Sequence, residues 1–275
     1  MGTLIKVLNR IPFLKKISHL KVERDNLKIE KNELNSVKDK LERRLNDMRV
    51  FASYKWLRGE GIEIGALHNP LSYDKEIAAV KYVDKYPLSE LKKQYSGIEK
   101  QYPKIKNLEI INPDFVDDGE KLDSFKNDSL DFIIANHMLE HCQNPIKTIE
   151  THLKRIRSKG ILFYAIPDKR FTFDKKRDLT TIEHLKNDYL EKNDHSKHYT
   201  EWVKHTEGFT DKKEIEERIK FLKDINYSIH YHVWDMDSLL HFFTFLANFK
   251  SIENKFEIEA IFSNGGEVIA ILRKV

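Results

Sequence analysis

The sequence predicts an α/β fold: a doubly wound parallel sheet finished by an antiparallel hairpin and preceded by an N-terminal helical coiled coil. Three observations carry that expectation. Short apolar runs recur between helical patterns, two terminal β-type runs meet at an Asn-Gly-containing turn, and leucines near the start are spaced by sevens.

The coiled coil comes first. Leu20, Leu27, Leu34, Leu41 and Met48 fall on one heptad row, with Ile17 and Leu45 beside it, so residues 18–50 are expected to form a coil that self-associates. Arg24, Lys31 and Lys38 occupy the second row, where a strong zipper carries Ile or Val, which makes the seam weak and two-stranded. The competing reading is a solvated helix docked on its own domain. Ahead of it, residues 1–17 set Leu4, Ile5, Val7, Leu8, Ile11, Phe13 and Leu14 among Lys6, Arg10, Lys15 and Lys16. Such a basic amphipathic segment suits an anionic membrane surface, and equally a plain helix end.

Residues 51–275 carry the sheet. The runs Gly61–Gly65, Val80–Asp84, Leu108–Asn112, Leu130–Ala135 and Ile161–Ile166 are read as five parallel strands. Phe256–Phe262, the turn Ser263-Asn-Gly-Gly266 and Val268–Leu272 are read as the closing hairpin. Residues 168–235 break the alternation. They are too long for a crossover and rich in His, Tyr and Trp, and are expected to form a cap inserted over the strand ends.

Composition limits what such a protein does. The 275 residues hold 48 Lys+Arg against 44 Asp+Glu, a net +4, but residues 1–58 alone have 15 against 7, so the extension is +8 and the remainder −4. A negative domain repels phosphate backbones, and no nucleic-acid partner is expected. A single cysteine, Cys142, precludes an internal disulfide or a cysteine-rich zinc site. With no signal-peptide core or membrane span, the expected location is the cytoplasm, with peripheral contact at the inner membrane face if residues 1–17 bind lipid.

In an open α/β sheet the ligand sits beyond the carboxyl ends of the strands. The first such end is Glu63-Ile-Gly65-Ala-Leu-His-Asn-Pro70. One glycine lets backbone approach a ligand, but a G-x-G-x-x-G phosphate cradle is absent, which disfavours a dinucleotide. Glu63 would suit a cationic amine, and Asp84, closing the second strand, could accept both hydroxyls of a ribose.

These residues resemble the class I S-adenosylmethionine-dependent methyltransferases over residues 57–275. Glu63-x-Gly65 is similar to the motif that holds the amino-acid end of the cofactor, and Asp84 to the ribose-binding acid. Asp117-Asp118-Gly119, ahead of Asp128-Ser-Leu-Asp131-Phe-Ile-Ile, is similar to the adenine-contacting segment, with Asp118 the better match and Asp117 the alternative. Asn136 begins the loop after the fourth strand. The resemblance implies a Rossmann-like seven-stranded sheet and S-adenosyl-L-methionine as cofactor; the single glycine of the first loop departs from the two or three common in the family. The stretches Ala135-Asn-His-Met-Leu-Glu-His141 and Pro167-Asp-Lys-Arg-Phe-Thr-Phe-Asp174 resemble a bacterial subgroup encoded among surface-polysaccharide genes. That implies O-methyl transfer to a sugar hydroxyl in glycan assembly, such as an O-antigen or capsule. Methylation of a small metabolite, or an inactive cofactor-binding scaffold that recruits glycan-assembly enzymes, is the alternative.

The chemistry of such a transfer needs a base or a metal to acidify the acceptor. On a helix His137, Glu140 and His141 would share one face and could hold a divalent metal; in the competing reading Glu140 and His141 only orient the loop. Seven of twelve histidines lie between residues 184 and 241. The candidates for the base are His141 or His184 near the hydroxyl, with His230 and His232 behind them. Lys169, Arg170, Asp174 and Arg177 follow the fifth strand and are expected to face the same cleft, where an anionic acceptor such as a phosphate- or nucleotide-linked sugar could dock.

Overall fold

A computed structural model describes residues 20–35, 38, 47–95, 109–225, 227–253 and 255–275. The chain divides between Phe51 and Ala52 into two units. In the first, residues 20–35 are helical, with Leu20, Leu27 and Leu34 exposed at 55%, 58% and 64%. Residues 1–17 and most of the remaining heptad positions, Ile17, Leu41 and Leu45 among them, lie outside the described residues. No helix among the described residues is long and apolar enough to cross a membrane.

The second unit is built on seven strands: β1 (Gly59–Ile64), β2 (Ala78–Asp84), β3 (Phe115–Val116), β4 (Leu130–Asn136), β5 (Ile156–Pro167), β6 (Phe256–Asn264) and β7 (Glu267–Lys274). Their order is β3-β2-β1-β4-β5-β7-β6; β1 to β5 run parallel and β7 inserts antiparallel between β5 and β6. The central strands are buried on both faces, which is why they read as continuous apolar runs: β4 and β5 bury Phe132 to Ala135 and Ile161 to Ile166. The third strand is displaced from the run expected at 108–112. Ile110 is buried and Ile111 donates its N–H to the Leu67 carbonyl at 2.7 Å, so these two residues pack under the first loop, and among the described residues from 109 to 116 it is Phe115–Val116 that pairs with β2.

Seven further elements among the described residues are helical. They are α1 (Met48–Trp56), which straddles the boundary between the units, α2 (Leu88–Tyr95), α3 (Pro145–Arg155), α4 (Ile182–Tyr189), α5 (Ser196–Glu201), α6 (Lys212–Asp224) and α7 (Met236–Asn248). The start of α3 is written in Asn144-Pro145: the Asn144 side chain accepts the Lys147 N–H, and proline occupies the first turn, where no N–H is needed. Ile146, Ile149, His152 and Leu153 then face the core. Asp235 and Ser238 form a capping box on α7, whose Leu239, Phe242, Phe243 and Leu246 fall at i, i+3, i+4 and i+7 and are all buried. Each such side chain contributes about 1.5–3 kcal/mol on burial.

Residues 168–235 leave the sheet after β5 and return at Trp234, which bridges Asp168, while Lys169 N–H donates to the Trp234 carbonyl at 2.8 Å. Between these points lie α4, α5, a short π-helical turn (Trp202–Thr206) and α6, with their own small core of Tyr199, Trp202, Val203, Ile215, Leu222, Ile229 and Tyr231.

Candidate functional site

The strand order reverses between β1 and β4, and the crevice beyond their carboxyl ends is where an open α/β sheet takes its ligand. Ile64 pairs with Ala135, which sets Gly65 opposite Asn136. Gly65 has φ +66°, and a Cβ built there would meet nothing within 4 Å: the turn needs a left-handed residue, and the space above it is open. Asn136 closes β4 with both polar atoms of its amide buried and without a hydrogen bond. Leaving such a group unsatisfied costs about 1–3 kcal/mol, which a polar ligand in the crevice would recover.

Glu63 is tied to the loop that follows it. It is 1% exposed, and its two carboxylate oxygens accept the Leu71 N–H at 3.0 and 3.1 Å, folding the 65–71 loop back onto its strand. Asp84, half-buried at the end of β2, is pushed above the usual carboxylate value by desolvation, against the N–H groups of Tyr86 and Lys85. A desolvated carboxylate gains by accepting hydroxyl donors, the chemistry a ribose offers.

The loop after β3 is held from within. Asp117 accepts the N–H groups of Asp118 (2.7 Å) and Ser124 (2.8 Å); burial raises its carboxyl, but these donors outweigh burial and bring it below its ordinary value. Asp118 accepts the Glu120 N–H at 3.0 Å and pairs with Lys121 at 3.3 Å. Gly119 is required for close approach, since a Cβ there would lie 2.6 Å from Ile64 Cγ2 and 3.0 Å from Met138 Cε. Its carbonyl accepts from His152 Nε2 at 2.8 Å, and the other ring nitrogen of His152 meets the Tyr164 hydroxyl at 2.8 Å. Sequence reasoning missed His152, whose only signal is an imidazole on the apolar face of α3. Together, the open Gly65, the orphaned Asn136 amide and the desolvated Asp84 fit a nucleoside carrying a polar amino-acid tail.

Beyond β4 the chain makes a single 3-10 turn, Leu139–His141, in place of a helix, and His137 precedes it at φ +51°. His137, Glu140 and His141 therefore do not share a helical face. His137 Nε2 contacts Glu267 Oε2 at 2.8 Å, while its Nδ1 stays 3.6 Å from Glu140. His230 takes the place expected of His137: the donor atoms of Glu140, His141 and His230 lie within 4.8 Å of one another. Glu140 is 1% exposed and neither carboxylate oxygen has a hydrogen bond. His141 Nδ1 sits 3.0 Å from both the Ile229 carbonyl and Ser228 Oγ, and burial lowers its pKa.

His230 is 8% exposed and stands edge-on to His141, with ring centres 4.6 Å apart. Its Nδ1 meets Asp174 Oδ2 at 2.6 Å. Burial raises the Asp174 carboxyl, but the bonds from His230 and Arg177 prevail and hold it below the ordinary carboxylate value. Phe173 and Trp202 flank His230 at 4.9 and 5.6 Å, and Phe173 is 54% exposed.

Lys169, Arg170 and Arg177 do not stand unpaired. Arg177 is buried between Asp174 (2.9 Å) and Glu201 (3.2 Å), Lys169 donates to the Arg177 carbonyl, and Arg170 grips Asp168 through Nε and Nη2. Nor does His184 stand beside His141: its ring neighbours are His198 at 5.0 Å and His232 at 5.6 Å, in a separate cluster around Asp188. Asp188 was not a candidate from the sequence, where it is one acid among many on a charged helix.

A family model described as a methyltransferase domain matches residues 47–212. Among solved structures, the chain is similar to the CurJ carbon methyltransferase, with 13% identity, a TM-score of 0.38, and coverage of 78% of this chain and 48% of that one. It is similar to phosphoethanolamine N-methyltransferase 1 of Haemonchus contortus, in complex with phosphoethanolamine and S-adenosylhomocysteine (13%, TM-score 0.43, 84% and 42%). A SAM-dependent methyltransferase from Aquifex aeolicus gives 13%, TM-score 0.34, and 78% and 81%. The chain spans about half the length of the first two. No curated protein matches it.

Proposed function

The chain belongs to the methyltransferase domain family, whose model spans more than half of it, and from that premise we propose that this S-adenosylmethionine-dependent methyltransferase acts on a sugar hydroxyl during glycan assembly. The observation that carries the reading is the His230–Asp174 pair at 2.6 Å beside the exposed face of Phe173. An alcohol is a poor nucleophile until its proton is removed, and a histidine fixed by a carboxylate is suited to remove it. Asp174 accepts from Nδ1–H, which leaves Nε2 to take the proton, and the same carboxylate then stabilises the imidazolium. S-adenosylmethionine supplies the methyl group, already activated on a sulfonium. Asn136, Asp84 and the backbone around Gly65 and Asp118 would bind it, while Glu63 keeps the loop in shape.

Aromatic faces next to polar groups favour a sugar ring, and Phe173 with Trp202 offers such a surface. Glu140, buried without a hydrogen bond next to His230, has the acceptor capacity that a second hydroxyl would use. Exposed Lys175 and Lys176 could meet a phosphate- or nucleotide-linked acceptor. The exposed leucines of helix 20–35 support self-association as part of the same reading.

Labelled methyl transfer tests the proposal, with free, phosphorylated and nucleotide-linked sugars set against phenols, carboxylates and amines. A sugar ether as product, with turnover lost in His230→Gln, is expected. Methylation confined to a non-sugar class, or full turnover in that variant, refutes it. Glu140, His141 and His230 are also a donor set for a divalent cation. Added Mg²⁺ or Mn²⁺ separates the two routes, because turnover through the histidine base is independent of either ion.

A further inference from the structure

Only Tyr231 separates His230 from His232, yet the two imidazoles serve different clusters. His232 is fully buried and faces Asp188 and His184. We propose that His184, Asp188 and His232, completed by His195, bind a divalent transition-metal ion of the zinc type that pins the inserted segment together.

His184 and Asp188 stand at i and i+4 on α4, on one face of a helix whose start is fixed by the Thr181 cap. His184 Nε2 lies 3.3 Å from Asp188 Oδ2, and His232 Nε2 lies 3.8 Å from the same oxygen. His195 Nδ1 is 3.8 Å from the other carboxylate oxygen. A tetrahedral ion with bonds near 2.0–2.1 Å holds its donors about 3.3 Å apart. The first pair already has that spacing, and His232 needs to close on Asp188 by about half an ångström, while His195 approaches from the side of the other carboxylate oxygen.

Four donor atoms, His184 Nε2, Asp188 Oδ2, His195 Nδ1 and His232 Nε2, are buried without a hydrogen bond. Four such groups in one place are costly unless something joins them. His198 packs against His184, His195 and His232 and walls the cluster. A donor set of imidazoles with one carboxylate selects zinc, cobalt or nickel over magnesium or calcium, which prefer oxygen.

An outer shell is in place as well. Asn193 Nδ2 donates to Asp188 Oδ1 at 2.6 Å and to the His184 carbonyl at 3.0 Å, orienting the carboxylate. A cavity of about 160 Å³, lined in part by His184, His198 and Tyr231, gives an ion a route inward. Bound there, the ion would join α4, the turn that carries His195 and the return segment at His232.

The test uses the full-length protein, stripped with chelator and titrated with Co²⁺, read by visible ligand-field absorption, and with Zn²⁺, read by elemental analysis after desalting. One equivalent of ion with a tetrahedral Co²⁺ spectrum is expected, lost in Asp188→Asn and His184→Gln and retained in Glu140→Gln. Asn193→Ala touches no proposed ligand position, and should weaken Co²⁺ binding about 10- to 100-fold without removing it. Absence of stoichiometric ion in the wild type overturns the proposal. So does an ion that survives both Asp188→Asn and His184→Gln, or one that is lost in Glu140→Gln. None of these readouts depends on methyl transfer.

Discussion

Lowering the pH should destabilise the fold through His152 in particular. This imidazole is completely buried, bonded to Tyr164 and to the Gly119 carbonyl, and burial pushes its pKa from 6.5 down to about 4, against the bond to Gly119. An unfolded chain takes up a proton at this residue near pH 6.5, and the native chain only near pH 4. Between those values the unfolded state binds more protons, so stability falls as pH drops. With a factor of 1.36 kcal/mol per pKa unit, the loss from His152 alone reaches about 2 kcal/mol at pH 5 and about 3 kcal/mol once both states are protonated. Urea unfolding of the wild type and of His152→Asn at pH 7.5 and 5.0 isolates it. The variant starts less stable, because Tyr164 and Gly119 lose a partner, but the wild type should lose about 2 kcal/mol more than the variant between the two pH values. Equal losses would mean that His152 titrates alike in both states, and the reasoning would fail.

Gly119→Ala should cost about 1–3 kcal/mol by overpacking against Ile64, seen as a Tm drop of roughly 2–12 °C, and should weaken cofactor binding; an unchanged Tm would contradict the packing described. Asn136→Ala removes an amide that makes no bond within the protein, so calorimetry should find the Tm nearly unchanged and S-adenosylmethionine affinity lower by about tenfold. Unchanged affinity would place the cofactor elsewhere. Removing residues 1–46 should leave cofactor binding intact, because Gly65, Asp84, Asp118 and Asn136 all lie in the second unit, and should reduce the mass seen by light scattering. A truncated protein that folds but no longer binds would contradict that division.

The sheet was legible because central strands and a terminal hairpin impose their patterns on long stretches of sequence. The third strand was not. Ile110 and Ile111 are apolar because they lie under the first loop, and the two-residue edge strand that pairs with β2 is too short to show a period. The spelling His137-x-x-Glu140-His141 suggested a helical face, but His137 sits in a left-handed conformation and the turn that follows is too short to be a helix. What completes each histidine cluster comes from far along the chain: His230 joins Glu140 and His141, and His232 joins His184 and Asp188. Those pairings depend on how the insert folds back onto the sheet, and spacing within one segment holds no record of them. Glu63 shows a related limit, because a carboxylate that could bind an amine can equally well bind the backbone of its own loop.

The antiparallel β7 lies between β5 and β6, so β5, paired with β4 on one side, gains its neighbour on the other only once Glu267–Lys274 exist. During synthesis the half-built sheet leaves the whole outer side of β5, including the buried run Ile161–Ile166, as an unpaired apolar edge until residue 274 clears the ribosome. Such an edge recruits other chains. A nonsense codon between Phe256 and Glu267 would therefore be expected to yield aggregates or degraded chains instead of a shortened enzyme, even though every residue of the cofactor crevice would already have been made.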